Sequence, residues 1–402
     1  MERVTLPQAR WRAREGLTEL CDVLGAAEGK VRFVGGAVRD TLIGIDVADV
    51  DLATTYSPER VIAMLKANGI KVVPTGLAHG TVTAVLPGGV PVEVTTLRCD
   101  VATDGRHATV AFTDDWQDDA ARRDFTMNAL YADPLTGRIF DYFGGIDDLE
   151  ARRVRFIGDP LKRIAEDHLR ILRFFRFHAR FGDEPDEAGL DACTERANDL
   201  MALSRERIAA ELLRLLVAVH AVRVVELMID HGIFVPVLPE IESAARLDRL
   251  VAREAAAGIA PDPIRRLAAL LPADTGDADN VGARLKLSKI ERRRLISAAE
   301  PIGDEPTTVI GYRLGRDLAI DRLLLSDRPE SEAASLIGWE SPALPLTGGA
   351  LVERGLHKGP EVARTLRLIE EQWIAEGFPD AARVKQIADA TTDQFLRASS
   401  SE

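Results

Sequence analysis

The stretch VRFVGGAVRDTLIGIDVADVDLATT, residues 31–55, holds the features that decide the fold of this 402-residue chain. Its Val-rich start predicts a short strand, and Gly35 and Gly36 predict a tight turn into a helix. The following segment predicts a second strand, which carries Asp49 and Asp51. Since residues i and i+2 of a strand share a face, roughly 6–7 Å apart, both carboxylates could reach one divalent cation. Together these features suggest a site for phosphate and metal.

These residues, taken by themselves, also allow simpler explanations. The two acids could be solvated on an exposed strand face, and Asp46, an odd number of positions from both, is expected to face away. The glycine pair fits neither a Walker loop nor a dinucleotide-binding fingerprint. Arg39 could fork onto a phosphate or be a surface arginine. Glu93, in the alternating stretch PVEVTTLR, could complete a metal site, act as a general base or be solvated.

The composition is that of a multidomain globular protein. Hydrophobic residues make up 46% and charged residues 29% of the chain, and no apolar run approaches the roughly 20 residues needed to cross a bilayer. The N-terminus has no apolar core of an export signal. The three cysteines are too few and too far apart for a disulfide framework or a zinc site, so we expect a cytoplasmic protein.

The charge distribution is uneven. A net charge of −13 argues against nucleic-acid binding by the chain as a whole. Residues 151–180, however, contain nine basic and three acidic side chains. We therefore expect this segment to be able to hold a polyanion.

Periodicity divides the chain into an α/β part and a helical part. Residues 11–28 predict a helix, and the Val- and Thr-rich runs after it predict strands, with LPGGVP as a hairpin turn that makes the sheet partly antiparallel. From about residue 159 helical periodicity takes over. The Gly- and Asp-rich stretch 270–288 predicts a loop within the helices. The predicted fold class is α+β.

Three motifs resemble the class II tRNA nucleotidyltransferase and bacterial poly(A) polymerase family, in the order and spacing of that family. They are the stretch FVGGAVRDTLIGIDVADVDLATT, ARRDFTMNALY (121–131) and GDPLKRIAEDHLRILRFFRF (158–177). Residues 346–377 are also similar to the family's tail. The resemblance implies a polymerase β-like nucleotidyltransferase head with a mixed sheet, followed by helical neck, body and tail. The corresponding domains are 1–158, 159–232, 233–338 and 339–402.

The resemblance also implies roles for individual residues. Asp49 and Asp51 match the ligands of catalytic Mg²⁺, and Glu93 matches a third acid. Mg²⁺ usually takes one or two carboxylates plus substrate phosphates, which suits nucleotide chemistry. The matching nucleotide-binding positions are Gly35, Gly36, Arg39, Arg123, Asp124, Asp167, Arg170, Arg173 and Arg176. Of these, Arg123 and Asp124 would hold the triphosphate and ribose, and the last four would read the base and bind phosphate.

Asp167 and Arg170 can be interpreted in two ways. Three residues apart on a helix, they would form an ordinary ion pair. Side by side, they also match the exocyclic amine and ring nitrogen of cytosine and adenine, whereas uracil and guanine reverse that pattern. A protein template could thus accept C and A and reject U and G.

The activity implied by the resemblance is attack of the tRNA 3′-hydroxyl on the α-phosphate of CTP or ATP, which adds C, C and A and releases pyrophosphate. The partners would be the tRNA acceptor end, CTP and ATP, without a membrane; nothing in the sequence predicts an oligomeric state. A poly(A) polymerase or a partial CC- or A-adding enzyme is the alternative, and a non-catalytic RNA-binding protein is a rival from another class. In TDGRHAT (103–109), His107 and Ala108 depart from the family's usual loop, which is implicated in switching from C to A addition.

Overall fold

The first part of the chain is built around a mixed β-sheet in the computed structural model, which describes residues 4–104 and 107–399. The strand order is β3-β4-β5-β2-β1-β8-β9, with β6 and β7 as a separate hairpin. The strands are β1 (Val31–Val34), β2 (Asp51–Thr54), β3 (Lys71–Gly76), β4 (Thr81–Val85), β5 (Pro91–Thr96), β6 (Arg98–Asp104), β7 (His107–Phe112), β8 (Leu130–Ala132) and β9 (Ile139–Asp141).

The central strands combine both pairing directions. β1 runs antiparallel to β2 and β8, whereas β2 runs parallel to β5. The turn Pro87–Gly89 joins β4 and β5 as an antiparallel hairpin, as LPGGVP predicted. A mixed sheet followed by helices confirms the predicted fold class. The variant positions His107 and Ala108 begin β7, but their side chains lie outside the described residues, as do residues 105–106 entirely.

Five α-helices accompany the strands of this part of the chain, and one prediction for them is wrong. Residues 11–28 do not form a single helix, because Gly16 adopts a φ of 81° and separates a short 3₁₀ turn from α1. A left-handed φ suits glycine and interrupts a right-handed helix. The helices of this part are α1 (Leu17–Val23), α2 (Gly36–Leu42), α3 (Pro58–Ala67), α4 (Trp116–Ala121) and α5 (Gly145–Glu150).

The chain after Asp159 is helical throughout the described residues, as predicted. The first of these helices are α6 (Pro160–Glu166), α7 (Arg170–Phe181), α8 (Glu187–Glu195), α9 (Arg205–Leu216) and α10 (Ala221–Asp230). The rest are α11 (Ala245–Ala257), α12 (Pro263–Leu270), α13 (Thr275–Arg284), α14 (Lys289–Ala299), α15 (Thr307–Leu314), α16 (Arg316–Leu325), α17 (Glu330–Ala334), α18 (Gly348–Val352), α19 (Pro360–Ala375) and α20 (Ala381–Ser399). The loop predicted for 270–288 is wrong, since α13 occupies most of it.

Contacts divide the chain into two compact units. One comprises the residues up to Ala244 together with Ala283–Leu287, and the other comprises Ala245–Gly282 and the residues from Ser288 onward. The finer division into head, neck, body and tail stays a prediction. Among the described helices, none is both long and apolar enough to span a membrane.

Candidate active site

The predicted acids meet in the middle of the sheet, at the start of β2, where this strand pairs with β5. Asp51 is the first residue of β2 and is paired in register with Glu93 of β5. Asp49 precedes the strand rather than lying in it, but Val50 still accepts a hydrogen bond from the Glu93 N–H at 3.3 Å. Val50 is buried while Asp49 is exposed, so the alternation of an extended chain continues through the D-x-D. The two acids therefore share a face with Glu93, whose neighbour Val92 is buried.

Burial and the neighbouring carboxylates disfavour the ionised form of Asp51. The pKa of Asp51 is raised to about 6, first by burial and then by the negative charges of Glu93 and Asp49, while Arg123 acts in the opposite direction. A cation placed among the three would relieve this repulsion, because opposite charge favours the ionised carboxylate. Within the described residues no group of three Asp, Glu, His or Cys side chains already has the arrangement of a metal cluster. The arrangement fits an ion that takes two carboxylates and completes its coordination with substrate oxygens.

Arg123 is held beside these acids by a buried network that the sequence interpretation missed. Its Nε donates to the Tyr131 hydroxyl and its Nη2 to Asp119, each at 3.2 Å. Tyr131 in turn donates to Asp119 at 2.6 Å, and Arg122 pairs with the other oxygen of that carboxylate. Burial alone would raise the pKa of Asp119, but Arg123 and Arg122 lower it to about 2. The network fixes a charged guanidinium next to the acids.

The glycine turn lies against the same guanidinium. Gly35 has φ 65° and ψ −121°, a backbone conformation that residues other than glycine rarely adopt. Its N–H extends the pairing of β1 with β8 by donating to the Leu130 carbonyl at 3.0 Å. A Cβ added to Gly35 would lie 3.5 Å from Arg123 Nη1. The chain thus places the glycine turn, Arg123 and the acid pair in one region of the head.

Arg39 is buried, so the alternative of a surface arginine is wrong. Only 6% of the residue is exposed. Its guanidinium pairs with Asp40 at 2.6 Å and donates to the side-chain oxygen of Asn128. It also lies over the rings of Phe177 and Phe181 of α7, 5.2 and 4.5 Å from their centroids. As the chain stands, Arg39 joins the turn to α7, and its contact with a nucleotide remains a prediction.

Asp124 is likewise engaged within the protein. One oxygen accepts from the Phe125 N–H and the Asn128 amide, and the other accepts from Arg173 Nε at 2.7 Å. Burial would raise the pKa of Asp124, but Arg173 and these hydrogen bonds hold it below the usual value. Asn128 therefore bridges Arg39 and Asp124, and the two predicted nucleotide-binding residues belong to one network that reaches α7.

The predicted neck helix is broken at Asp167. This residue is extended, with φ −152° and ψ 106°, between α6 and α7, so it does not share a helical face with Arg170. Its carboxylate accepts from the Leu169 N–H at 3.1 Å and from Arg207 of α9 at 2.8 Å. Arg170 instead donates to Glu166 at 2.6 Å and to backbone carbonyls. The ordinary Asp167–Arg170 helical ion pair is therefore a wrong expectation.

Acidic side chains outside the segment neutralise much of the positive charge of residues 151–180. Arg173 pairs with Asp124, Arg180 with Asp40, and Arg176 with Glu211 of α9, which is buried. Two more pairs form around the fully buried Asp148, which binds Arg153 and Arg155. The count of basic residues therefore overstated the positive charge available to a polyanion.

The residues that the sequence interpretation missed share a property. Each holds a predicted residue in place from a distant point of the chain or from an unremarkable position within a motif. Asn128 and Tyr131 lie inside ARRDFTMNALY and Asp40 lies inside the first motif, so these three could have been noticed; the rest carry no local pattern. The missed residues are Asp40, Asp119, Asn128, Tyr131, Arg207 and Glu211.

Comparisons with known proteins agree on one family. Residues 31–155 match the Poly A polymerase head domain, and residues 184–245 match the probable RNA and SrmB-binding site of polymerase A. The mouse mitochondrial CCA tRNA nucleotidyltransferase 1 is 36% identical over 386 residues, which cover 90% of this chain and 87% of the mouse protein. The CCA-adding enzyme of Streptococcus gordonii is 32% identical over 372 residues, covering 88% of this chain and 92% of that protein. The crystal structure of the Bacillus stearothermophilus CCA-adding enzyme in complex with CTP superposes with a TM-score of 0.72 at 25% identity, covering 98% of this chain and 100% of that one.

Proposed function

Because the chain belongs to the family of CCA-adding tRNA nucleotidyltransferases and poly(A) polymerases, we propose that it adds C, C and A to the 3′ end of tRNA. It uses CTP and ATP, needs no nucleic-acid template and releases pyrophosphate. The reaction is attack of the RNA 3′-hydroxyl on the α-phosphate of the incoming nucleotide.

The observation that supports this function best is the register of β2 and β5. It sets Asp51 opposite Glu93, with Asp49 just before it, in a site where burial and then repulsion from the neighbouring carboxylates raise the pKa of Asp51 to about 6. An acid on an open strand face would be fully solvated, whereas Asp51 is only partly exposed, with the exposed Asp49 and Glu93 beside it. A non-catalytic RNA-binding protein would have no use for three such carboxylates held beside Arg123.

Membership of this family implies the use of a divalent metal. We infer that Asp49 and Asp51 hold it, that it is Mg²⁺, and that Glu93 lies close enough to influence it. A divalent ion bound there supplies Lewis-acid stabilisation of the charge that develops on the triphosphate. Asp49 and Asp51 would hold such an ion, and would act on the triphosphate only through its positive charge.

Arg123 is the residue best placed to bind the triphosphate directly. Its Nε and Nη2 are used by Tyr131 and Asp119, which leaves Nη1 directed at the turn of Gly35. A guanidinium fixed in this way loses little conformational entropy when it binds a phosphate oxygen. Gly36, the partly exposed first residue of α2, has no side chain that would block a phosphate at the turn.

Asp167 and Arg170 are proposed to select the base. An ionised carboxylate can only accept hydrogen bonds, so Asp167 suits the exocyclic amine of cytosine or adenine, and Arg170 suits the ring nitrogen. Uracil and guanine would leave a carbonyl facing the carboxylate and a buried donor unpaired. Arg207 already donates to the Asp167 carboxylate, but the carboxylate oxygens have further lone pairs that can accept from a base. Arg170 must give up at least one of its present hydrogen bonds, such as that to the Arg163 carbonyl, to donate to a base.

The direct test is nucleotide addition to defined RNA ends. Transcripts of one tRNA that end before CCA, after CC and after CCA are incubated with the protein, Mg²⁺ and each triphosphate singly or combined. We expect C addition to the first, A addition to the second and none to the third. Runs of A on unrelated RNA would establish a poly(A) polymerase instead, and addition of only CC or only A would establish a partial enzyme.

Matched acid substitutions test the site itself. Asp49→Asn and Asp51→Asn each remove one negative charge from the site, and we expect each to lower kcat/KM at least about 10³-fold. Asp46→Asn makes the same change three residues earlier, at an exposed position, and should leave activity intact. Near-normal turnover by Asp51→Asn would contradict the assignment.

The proposed compartment is the cytoplasm. The three cysteines are unbridged, and Cys21 and Cys193 are buried, where burial raises the pKa of each thiol. Unreactive free thiols suit a reducing compartment. Fractionation of the native host would distinguish the cytoplasm from an organelle.

A further inference from the structure

A small cavity lies on the second compact unit, between α11 and the end of α16. It has a volume of about 60 Å³ and is lined on one side by Arg246, Arg249 and Arg253. Ser326 and Asp327 line the other side, above buried leucines. We call this group of three arginines the α11 arginine site.

The spacing of the three arginines places them on one face of α11. Positions three and four apart on a helix are neighbours, so residues 246, 249 and 253 follow each other along one stripe. Three like charges on one stripe repel each other unless something neutralises them. The cavity opens where that neutralisation would be expected.

Within the part of the chain that the structure describes, these arginines have no carboxylate partner. Arg246 donates to the Leu271 carbonyl at 2.5 Å, and Arg253 donates to the carbonyls of Leu323, at 3.1 Å, and Arg328. The Nε of Arg253 is buried with no acceptor among the described residues, and Arg249 is exposed. Most other arginines of this unit form ion pairs, as Arg294 does with Asp321.

The electrostatics agree with this geometry. The pKa of Arg246 is lowered, first by burial and then by the positive charge of Arg249, so the site holds uncompensated positive charge. Asp327 is the one acid among the lining residues, against three arginines. An anion would relieve the repulsion and provide acceptors for the free N–H groups.

We propose that the α11 arginine site binds a phosphate group, namely a backbone phosphate of the RNA substrate. A cavity of this size accommodates a compact anion, whereas nucleotide pockets are several times larger. Arginine guanidinium groups match phosphate oxygens in geometry and charge. That the phosphate belongs to RNA rests on the proposed function, since inorganic phosphate and pyrophosphate share the same chemistry.

The test compares the full-length variants Arg249→Glu and Arg249→Gln with Arg293→Glu. Arg293 is an exposed arginine on α14 of the same unit, so its reversal changes the net charge equally. Binding of tRNA that ends before CCA is measured without triphosphates over a salt series. We expect Arg249→Glu to weaken binding about tenfold and to flatten the dependence of log K on log salt by about 0.7–0.9, the loss of one phosphate contact. Arg249→Gln should give the same change of slope with a smaller loss of affinity.

Calorimetry with inorganic phosphate and pyrophosphate distinguishes the source of the anion. Tight binding of either that Arg249→Glu abolishes, with unchanged RNA affinity, would overturn the RNA assignment in favour of a free anion. Equal loss of RNA affinity in Arg249→Glu and Arg293→Glu would overturn the site altogether. Initial rates are measured in parallel, and Arg249→Glu should raise the KM for tRNA about as much as it weakens binding; an unchanged KM would contradict the RNA assignment. A wild-type protein that adds no nucleotide, yet loses RNA binding in Arg249→Glu alone, would refute the proposed function and leave the phosphate site standing.

Discussion

Replacing Asp51 by asparagine is expected to stabilise the metal-free protein while it abolishes nucleotide transfer. The ionised Asp51 carboxylate is unfavourable without a cation, because burial and its neighbours Glu93 and Asp49 raise its pKa to about 6. An amide has nearly the same shape and no charge. The substitution therefore removes the repulsion and, with it, the proposed ligand.

The size of the effect follows from the pKa shift. A rise from the ordinary value of 3.8 to about 6 is roughly two units, and each unit corresponds to about 1.4 kcal/mol. Between these two values the folded protein binds more protons than the unfolded chain, so its stability falls as the pH rises through that window. The full penalty of up to about 3 kcal/mol is present at neutral pH, and roughly 1 kcal/mol of it remains near pH 4.5.

Urea denaturation in the presence of EDTA measures this directly. At about pH 7.5 the free energy of unfolding of Asp51→Asn should exceed that of the wild type by up to about 3 kcal/mol, and the difference should shrink towards acid pH. Asp46→Asn should match the wild type at both pH values, since Asp46 is exposed. Saturating Mg²⁺ should then stabilise the wild type, by about 2.7 kcal/mol at a hundredfold excess over Kd, and leave Asp51→Asn unchanged.

Two results would refute this reasoning. A variant that is less stable than the wild type at neutral pH in EDTA would mean that the carboxylate makes a favourable contact in the metal-free protein. A stability gain that is as large near pH 4.5 as at pH 7.5 would mean that the gain does not come from removing a charge.

Three further substitutions test other parts of the site. Arg173→Ala leaves Asp124 without its cation and should lower the free energy of unfolding, measured by urea denaturation, by about 2–3 kcal/mol. This is less than the roughly 3–5 kcal/mol of a fully buried pair, because the Arg173 side chain is 30% exposed. The double variant Arg173→Ala/Asp124→Asn should regain part of the loss. Gly35→Ala forces a side chain into a backbone with φ 65° and should cost about 1–3 kcal/mol of stability and raise the KM for CTP, which melting curves and initial rates will show. Asp167→Asn turns an acceptor into a group that also donates, so the preference for CTP over UTP in kcat/KM should fall about 10- to 100-fold; an unchanged ratio would exclude Asp167 from base selection.

Local patterns were sufficient to predict much of the fold. Alternation and turn residues predicted the β4–β5 hairpin, and Ser57 followed by Pro58 marks the start of α3 as a cap and first helical residue should. Prediction failed at residues 270–288, where the composition suggested a loop but the segment packs as a helix. In 270–288 the glycines and aspartates suggested a loop, but Asp274 accepts from the N–H groups of the first turn, and Val281 is fully buried.

The site was predictable only in part, for a physical reason. The spacing of Asp49 and Asp51 is visible in the sequence because both lie on one extended segment. The side chains that fix the remaining groups come from far along the chain: Arg173 reaches Asp124 over 49 residues, and Arg207 reaches Asp167 over 40. Pairs at such separations leave no periodic pattern. Only the folded chain shows that the arginines expected to bind phosphate already hold carboxylates.

The family motifs consequently divide into two kinds of residue. Arg39 and Asp124 face α7 and are joined to it by ion pairs, hydrogen bonds and ring contacts, so substitutions there should lower stability and activity together. The ionised Asp51 lowers the stability of the metal-free protein, and Asp49 is exposed, so substitutions at either position should lower activity without loss of stability. Removing one partner of a buried pair destabilises the fold, whereas removing one of several crowded like charges does not. Measuring stability and turnover for one variant each of Arg39, Asp124, Asp49 and Asp51 therefore separates residues that hold the head to α7 from residues that act on the substrate. Asp124 is the decisive case, because a variant such as Asp124→Asn that keeps full stability but loses turnover would move it from the first kind to the second.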